Sequence, residues 1–234
     1  MASLQILRFR DPSGLPLRLL AGMAAIAGLF FLFVKTWAEV AEGDTRAIDA
    51  AILLSLRVAG HPAVPIGPAW LTQSMVEISS LGGTTVLGML VFSASGYLVI
   101  KGARTRALML PAATLSGAGA IFLLKNVFGR PRPELVDHLV VAQSMSFPSG
   151  HAANSALVYL TIAALASDGE PGRPTRIYIM AVAMGLTILI GLSRVFLGVH
   201  WPSDVAAGWT FGAGWALAWR LAVSPRAVPR DFAD

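Results

Sequence analysis

The chain alternates long apolar runs with short polar connections. Six runs are long enough, or nearly so, to cross a bilayer as helices, and they cover residues 17–38, 79–100, 107–125, 151–167, 177–194 and 204–220. The pattern predicts an all-α fold, an integral membrane bundle of six transmembrane helices that forms one domain over residues 1–234. A signal peptide is the alternative for the first run, but its apolar part is long and no clear small-residue cleavage site follows it.

Basic residues mark one side of this predicted bundle. With six spans, the following residues all fall on the same side: Arg8, Arg10, Arg18, Lys101, Arg104, Arg106, Arg173, Arg176, Arg220, Arg226 and Arg230. The positive-inside rule places that side in the cytoplasm. It therefore predicts a protein of the plasma (inner) membrane with a cytoplasmic N-terminus (1–16), a cytoplasmic tail (221–234) and an extracytoplasmic loop (39–78).

The extracytoplasmic loop 39–78 contains an amphipathic pattern. Ile48, Ile52 and Leu56 recur at every fourth position beside the polar Asp49, which predicts an interfacial helix. Three prolines end that helix before a second short segment around residues 70–80: Pro62, Pro65 and Pro68. Two interpretations stay open, because the loop suits either a lid packed over the bundle or a wall of a lipid entrance.

Composition narrows the class of protein. Hydrophobic residues make up 55% of the 234 positions and charged residues only 13%, which is typical of a multi-span membrane protein. The net charge is +5, but the basic residues form no dense stripe, so nucleic acid is not an expected partner. The chain has no cysteine, which excludes disulfides, zinc-thiolate sites and iron–sulfur clusters.

Three polar blocks stand out against this apolar background, each at the end of an apolar run. They contain Lys125, Arg132 and Pro133, then Pro148, Ser149, Gly150 and His151, and then Ser193, Arg194, His200 and Asp204. Together they supply three cations, two histidines and one carboxylate, which is the inventory for cleaving a phosphate ester without a metal. The expected substrate is therefore a phosphate at a membrane surface.

Taken singly, these residues have structural interpretations as well. A lysine such as Lys125 at the end of an apolar run is ordinarily a snorkelling anchor, and a lone histidine such as His151 is usually a packing or interfacial residue. Ser149 suits a helix N-cap and Gly150 a close approach of the backbone. Asp204 follows a proline typical of a first helical turn, where a carboxylate complements the helix dipole. The combination of the three blocks favours a site.

The order and internal spacing of the blocks resemble those of the type 2 phosphatidic acid phosphatase (PAP2) superfamily. Six residues separate Lys125 from Arg132, and three separate His200 from Asp204. The motifs cover residues 125–204, and six spans with a long first loop are similar to the bacterial membrane-bound members. The resemblance implies a helical core shared with the haloperoxidases and a lipid phosphatase activity.

The matched residues then have expected roles. Asp204 can accept one imidazole N–H of His200, four residues earlier, and leave the other nitrogen free to attack phosphorus. His200 is thus the candidate nucleophile, forming a phosphohistidine that water later hydrolyses. By resemblance His151 is the general acid. The expected substrate-binding residues are Lys125, Arg132, Ser149, Gly150 and Arg194.

Three further polar residues lie outside the matched positions. Arg130 is expected to support the site indirectly or to lie at the membrane interface, while His61 and His138 are expected in loops. No compact cluster of carboxylates or histidines has ligand spacing for magnesium or zinc. The sequence therefore predicts that neither a metal nor another cofactor takes part.

The leading expected substrate is undecaprenyl pyrophosphate, followed by phosphatidylglycerophosphate and phosphatidic acid, a ranking that rests on family and topology. Membrane lipids are the other expected partners, and the sequence leaves the oligomeric state open. Vanadium haloperoxidases share the pocket chemistry but are soluble. A non-catalytic lipid-phosphate binding or transport protein that retained the pocket is the alternative of a different class; the intact His151, His200 and Asp204 argue against it.

Overall fold

The structure, a computed structural model, describes residues 17–223. In chain order its elements are α1 (Leu17–Glu42), α2 (Arg46–Ser55), β1 (Arg57–Val58), β2 (His61–Pro65), α3 (Ala69–Ser80), α4 (Thr84–Ile100), α5 (Arg104–Phe128), α6 (Gly150–Asp168), α7 (Arg173–Phe196) and α8 (Pro202–Val223). The predicted cytoplasmic segment 1–16 and residues 224–234 of the predicted tail lie outside the described residues. The basic residues in those two segments lie outside them as well.

The helical fold class is confirmed, since the predicted apolar runs are helical apart from a break at residues 81–83. Three helices in the described part are long and apolar enough to span a membrane: α1, α5 and α7. A fourth span results if α3 and α4, bent by 47° at the break, are counted together. The predicted number of six is not confirmed by this criterion. The helices α6 and α8 lie at the centre of the bundle, where small and polar residues replace lipid-facing apolar ones.

The loop that was predicted to be extracytoplasmic folds into α2, a two-stranded antiparallel hairpin and α3. The hairpin departs from an all-α chain for a local reason. Pro62 and Pro65 disfavour a helix, and Gly60 adopts a positive φ of 77° at the turn, a conformation that favours glycine. The helix α2 buries Asp49 and Leu53, whereas Ile48 is 67% exposed. The side of the loop helix that faces the protein thus carries one carboxylate and one apolar side chain.

Two glycines allow α8 to pack closely against α6. A Cβ atom at Gly208 would lie 2.7 Å from the Ser149 carbonyl oxygen, and one at Gly212 would lie 2.2 Å from the Ala153 carbonyl oxygen. Because the two glycines are one turn apart, they form the small-xxx-small pattern that permits close helix pairs in membranes. The Ser149 N–H donates to the Asp204 carbonyl at 3.0 Å, so the start of α6 is fixed next to the start of α8.

A buried aromatic cluster anchors the segment that leads into α6. Phe147 has no exposed surface, and its ring centroid lies 5.8 Å from that of Phe33, 5.2 Å from that of Trp37 and 5.3 Å from that of Phe128. Rings at these separations interact favourably beyond the area that they bury. The cluster therefore ties α1 and α5 to the residues just before Ser149.

The close contact between α6 and α8 predicts that Gly212→Ala destabilises the protein. An added methyl group collides with a backbone oxygen, and such overpacking costs about 1–3 kcal/mol. The melting temperature in detergent should fall. Gly185→Ala in α7, where a Cβ atom meets nothing within 4 Å, is the matched control and should be neutral or stabilising, because alanine favours helices. A Gly212→Ala protein that melts at or above the wild-type temperature would contradict this packing.

Candidate active site

The three polar blocks converge at one end of the bundle. Lys125 comes from the last turn of α5, Arg194 from the last turn of α7, and His200 from the connection to α8. The structure brings together all eight residues predicted for the site: Lys125, Arg132, Ser149, Gly150, His151, Arg194, His200 and Asp204. Their roles are not tested by this arrangement, but their proximity makes a common function physically feasible.

His200 and Asp204 form a buried pair. The His200 Nδ1 atom lies 3.4 Å from Asp204 Oδ2, a long contact of the kind that tightens in a reacting complex. The same oxygen accepts the Trp201 N–H at 3.0 Å and the Ser146 hydroxyl. A proton on Nδ1 then points to the carboxylate. Nε2 keeps its lone pair on the side of Arg132, whose Nη1 lies 3.4 Å away.

Burial keeps the His200 imidazole neutral. Desolvation lowers its pKa from 6.5 to about 3, although the hydrogen bond and charge of Asp204 act in the opposite direction. A neutral imidazole is the form that has a free lone pair for attack. The environment of His200 therefore suits a nucleophile at neutral pH.

Two of the site's cations are held by backbone carbonyl groups. The Lys125 ammonium donates to the Met145 carbonyl at 2.5 Å. Arg132 donates from Nε to the Ser144 carbonyl at 2.7 Å and from Nη1 to the Val199 carbonyl at 2.5 Å. These dipoles fix the side chains, and the charge of Asp204 acts on both cations without forming an ion pair with either. A bound anion would therefore stabilise the two charges further.

Arg194 is held in a similar way. Its Nη1 donates to the Ser79 hydroxyl of α3 at 2.6 Å. Within residues 17–223, no carboxylate forms an ion pair with Arg194, Lys125 or Arg132. In the same part of the chain, Arg194 Nε and Ser149 Oγ are buried without a hydrogen-bond partner. These two atoms are available to the oxygens of a bound phosphate.

His151 lies at the beginning of α6, on the edge of this cationic pocket. The charges of Arg194, Lys125 and Arg132 all act on it. A Cβ atom at the neighbouring Gly150 would lie 3.6 Å from Lys125 Cε, an ordinary contact distance, so the lysine side chain lies next to the helix start. The first N–H groups of a helix have no partner within it and bind anions readily. An anion at this helix start would contact both the lysine and the histidine.

Sequence reasoning missed several residues that hold the site in place. Ser146 donates to Asp204 and Ser79 accepts from Arg194; neither has a motif around it, and only the tertiary contact identifies it. Arg130, expected to act indirectly or at the interface, donates to Asp204 Oδ1 at 2.5 Å. The Nη2 atom of the same guanidinium donates to Asp49 Oδ2 at 2.9 Å. The position of the Asp49 carboxylate among the apolar residues of α2 could have indicated that it has a buried partner.

A half-open cleft of about 540 Å³ lies beside the cationic pocket. It runs between the end of α1, the start of α2 and the segment after α5, and its walls include Arg46, Arg130, Arg132, Glu134 and Trp201. Arg132 therefore belongs both to the cleft and to the surroundings of His200. The cleft provides space for a polar group attached to a phosphate in the site.

The relatives of the chain are phosphatases, and they define its class. Residues 106–227 match the PAP2 superfamily. The chain is 32% identical over 190 residues to phosphatidylglycerophosphatase B of Bacillus subtilis, covering 79% of this chain and 87% of that protein. It is 31% identical over 137 residues to decaprenylphosphoryl-5-phosphoribose phosphatase of Mycobacterium tuberculosis, covering 56% of this chain and 69% of that one.

A solved structure agrees with this assignment. The transmembrane PAP2 type phosphatidylglycerolphosphate phosphatase from Bacillus subtilis superposes with a TM-score of 0.76 at 26% identity, covering 83% of this chain and 94% of that chain. The chain belongs to the PAP2 superfamily, and it is a phosphatase of that family.

The buried neutral His200 predicts that acid destabilises the protein. Between about pH 6.5 and its lowered pKa of about 3, the unfolded chain binds a proton at His200 that the folded protein does not, so stability falls as the pH falls below about 6.5. Removing the titrating group in His200→Asn should reduce the loss of stability between about pH 7 and about pH 4.5 by up to about 2–3 kcal/mol. Melting curves in detergent measure this difference. Equal losses in both proteins would contradict a neutral buried imidazole.

Proposed function

We propose that this protein is a metal-independent membrane phosphatase that removes the terminal phosphate from a lipid phosphate or lipid pyrophosphate through a phosphohistidine at His200. The observation that carries the proposal is the pocket formed by Lys125, Arg132 and Arg194. These three cations have no carboxylate partner in the described part of the chain. Arg132 and Lys125 act on the neutral imidazole of His200, and Arg194 acts on His151. Phosphoryl transfer requires this kind of charge neutralisation around a positioned nucleophile.

In the proposed reaction, His200 Nε2 bonds to phosphorus while the bond from phosphorus to the lipid oxygen breaks. His151 gives its proton to the departing oxygen. A bound phosphate offsets the cations around His151 and so allows its imidazole to hold that proton before the transfer. Water then attacks the phosphohistidine, His151 takes a proton from the water, and phosphate leaves. Asp204 balances the positive charge that develops on His200.

The proposed substrate is a lipid because the pocket lies at the end of helices that are apolar enough to span a membrane. Sequence reasoning ranked undecaprenyl pyrophosphate first. The name of the Bacillus subtilis relative, of which 87% is covered, gives more support to phosphatidylglycerophosphate, and we place that lipid first. Phosphate release from a panel that also contains undecaprenyl pyrophosphate and phosphatidic acid tests both the activity and the ranking. The purified protein should release phosphate, whereas a non-catalytic binding protein would release none from any of them.

The proposed topology has six spans and an extracytoplasmic site. At the bundle end opposite the site, Asp168 pairs with Arg220 at 2.8 Å and with Arg106 at 3.9 Å. The ends of α6 and α8 therefore meet the start of α5 among the basic residues. This supports one basic end of the bundle, and we propose that this end is cytoplasmic and that both termini lie on the same side.

The topology predicts which positions a membrane-impermeant thiol reagent reaches in intact cells. Gln143 lies in the connection near the site and Gly169 at the other end of α6, both exposed, and the chain has no cysteine of its own. Gln143→Cys should be labelled from outside, whereas Gly169→Cys should be labelled only after the membrane is opened. The reverse pattern would show that the site faces the cytoplasm.

The two histidines should respond differently to the leaving group. His200→Asn removes the attacking atom and should abolish turnover of every substrate. His151→Asn removes a proton donor, whose contribution is typically about 10²- to 10⁴-fold and is largest for a basic leaving oxygen. Its defect should therefore shrink with p-nitrophenyl phosphate compared with a lipid phosphate, provided that the wild type accepts the activated ester. Equal losses on both substrates, in a protein that still binds vanadate, would rule out the general-acid role of His151.

A further inference from the structure

Asp49, in the loop helix α2, is a buried carboxylate next to the start of α8. Its Oδ1 accepts the Ser203 N–H at 2.9 Å, and its Oδ2 accepts the Ser203 hydroxyl at 2.5 Å. The second oxygen also accepts Arg130 Nη2 at 2.9 Å. Only 3% of the Asp49 side chain is exposed. An isolated charge would be costly at this depth, so the carboxylate depends on these partners.

Arg130 connects Asp49 with Asp204. Its Nη1 lies 2.5 Å from Asp204 Oδ1, and its guanidinium is 5.3 Å from the centre of the Trp201 ring. Its side chain is 13% exposed and that of Asp204 is fully buried. Asp49, Arg130 and Asp204 thus form a row of alternating charges, which we call the charge row, and His200 contacts its last member.

The net charge of the charge row determines how well the row can stabilise a positive charge on His200. Arg130 and Asp204 alone sum to zero, and a guanidinium bound to one carboxylate oxygen weakens the attraction of the other for an imidazole. Asp49 adds a second negative charge, so the row carries a net charge of −1. That is the charge needed opposite His200, which becomes positive as its nitrogen bonds to phosphorus.

We propose that Asp49 is the counter-ion of Arg130 and thereby keeps the charge of Asp204 available to His200. Asp49 and Arg130 are positioning residues, since they act through Asp204 and do not touch the phosphate. The inference rests on the proposed role of His200 as nucleophile. It assigns α2 a part in the reaction in addition to covering the bundle.

A purely structural role makes a different prediction from a charge role. If the charge row only docked α2 onto α8, then every broken contact would lower activity, and breaking two would be at least as harmful as breaking one. If its net charge matters, then removing Arg130 together with the Asp49 charge leaves Asp204 with its charge of −1 for His200. The double variant should then be more active than Asp49→Asn alone.

The experiment is a double-mutant cycle with Asp49→Asn, Arg130→Gln and the combined variant, assayed for phosphate release from a lipid phosphate. Asp49→Asn should lower kcat by about 10-fold or more with little change in KM, and the double variant should regain about 10-fold, a coupling typical of contacting charged residues. Asp44→Asn is the matched control, because Asp44 is exposed on the same loop, and it should leave kcat unchanged. Melting temperature and vanadate inhibition verify the fold and the anion pocket.

Ser203→Ala provides a variant that does not change the charge. It removes hydrogen bonds from Asp49 and Arg130 and should lower kcat much less than Asp49→Asn. A double variant no more active than the worse single variant, or a Ser203→Ala defect as large as that of Asp49→Asn, would overturn the counter-ion role while leaving the proposed function intact. Phosphate release by His200→Asn at the wild-type rate would instead reject the proposed function, and the counter-ion role with it.

Discussion

The site depends on three cations that form no ion pair with a carboxylate within residues 17–223; Lys125 and Arg194 are buried and Arg132 is half-buried. Lys125 and Arg132 are held by carbonyl groups, and Arg194 by the Ser79 hydroxyl. Carbonyl and hydroxyl dipoles reduce the cost of burying these charges but do not cancel it. In the proposed reaction, phosphate oxygens complete the balance, so binding energy and catalytic electrostatics come from the same groups. The three cations would then provide the charge neutralisation that metals provide in many other phosphoryl-transfer enzymes.

The segment that contains α2 and α3 is part of this arrangement. The helix α3 supplies Ser79 to Arg194, and α2 supplies Asp49 to Arg130. Both helices therefore reach the site through polar contacts as well as through apolar packing. This favours the lid interpretation of the loop, while the cleft beside Arg46 and Arg132 leaves an opening at one side of the lid. A substitution that moves α2 or α3 would therefore change the contacts of Arg130 and Arg194.

The sequence predicted the helical class and the convergence of the three blocks because both depend on local patterns: apolar length for helices, and fixed spacing for motifs. It did not predict the contacts of Ser146, Ser79 or Asp49, because they come from distant segments and have no pattern of their own. The sequence also did not predict which face of α2 is buried. Ile48 and Ile52 belong to the predicted apolar pattern, yet they are exposed while Asp49 and Leu53 are buried, since apolar surface can face lipid in a membrane protein. The central helices α6 and α8 do not meet the hydropathy criterion for a span, because small and polar residues take the place of large apolar ones in them.

Direct trapping of the phosphoenzyme is the most decisive test of the central claim, that His200 is a nucleophile that works without a metal. Purified protein would be mixed with a ³²P-labelled lipid phosphate in excess EDTA, quenched in base within a turnover, and digested. The account predicts a label that is stable in base, labile in acid and located on the peptide that contains His200. It also predicts that His200→Asn acquires no label. A label that survives acid, one that maps to another residue, or one that forms only when magnesium is restored would contradict the account.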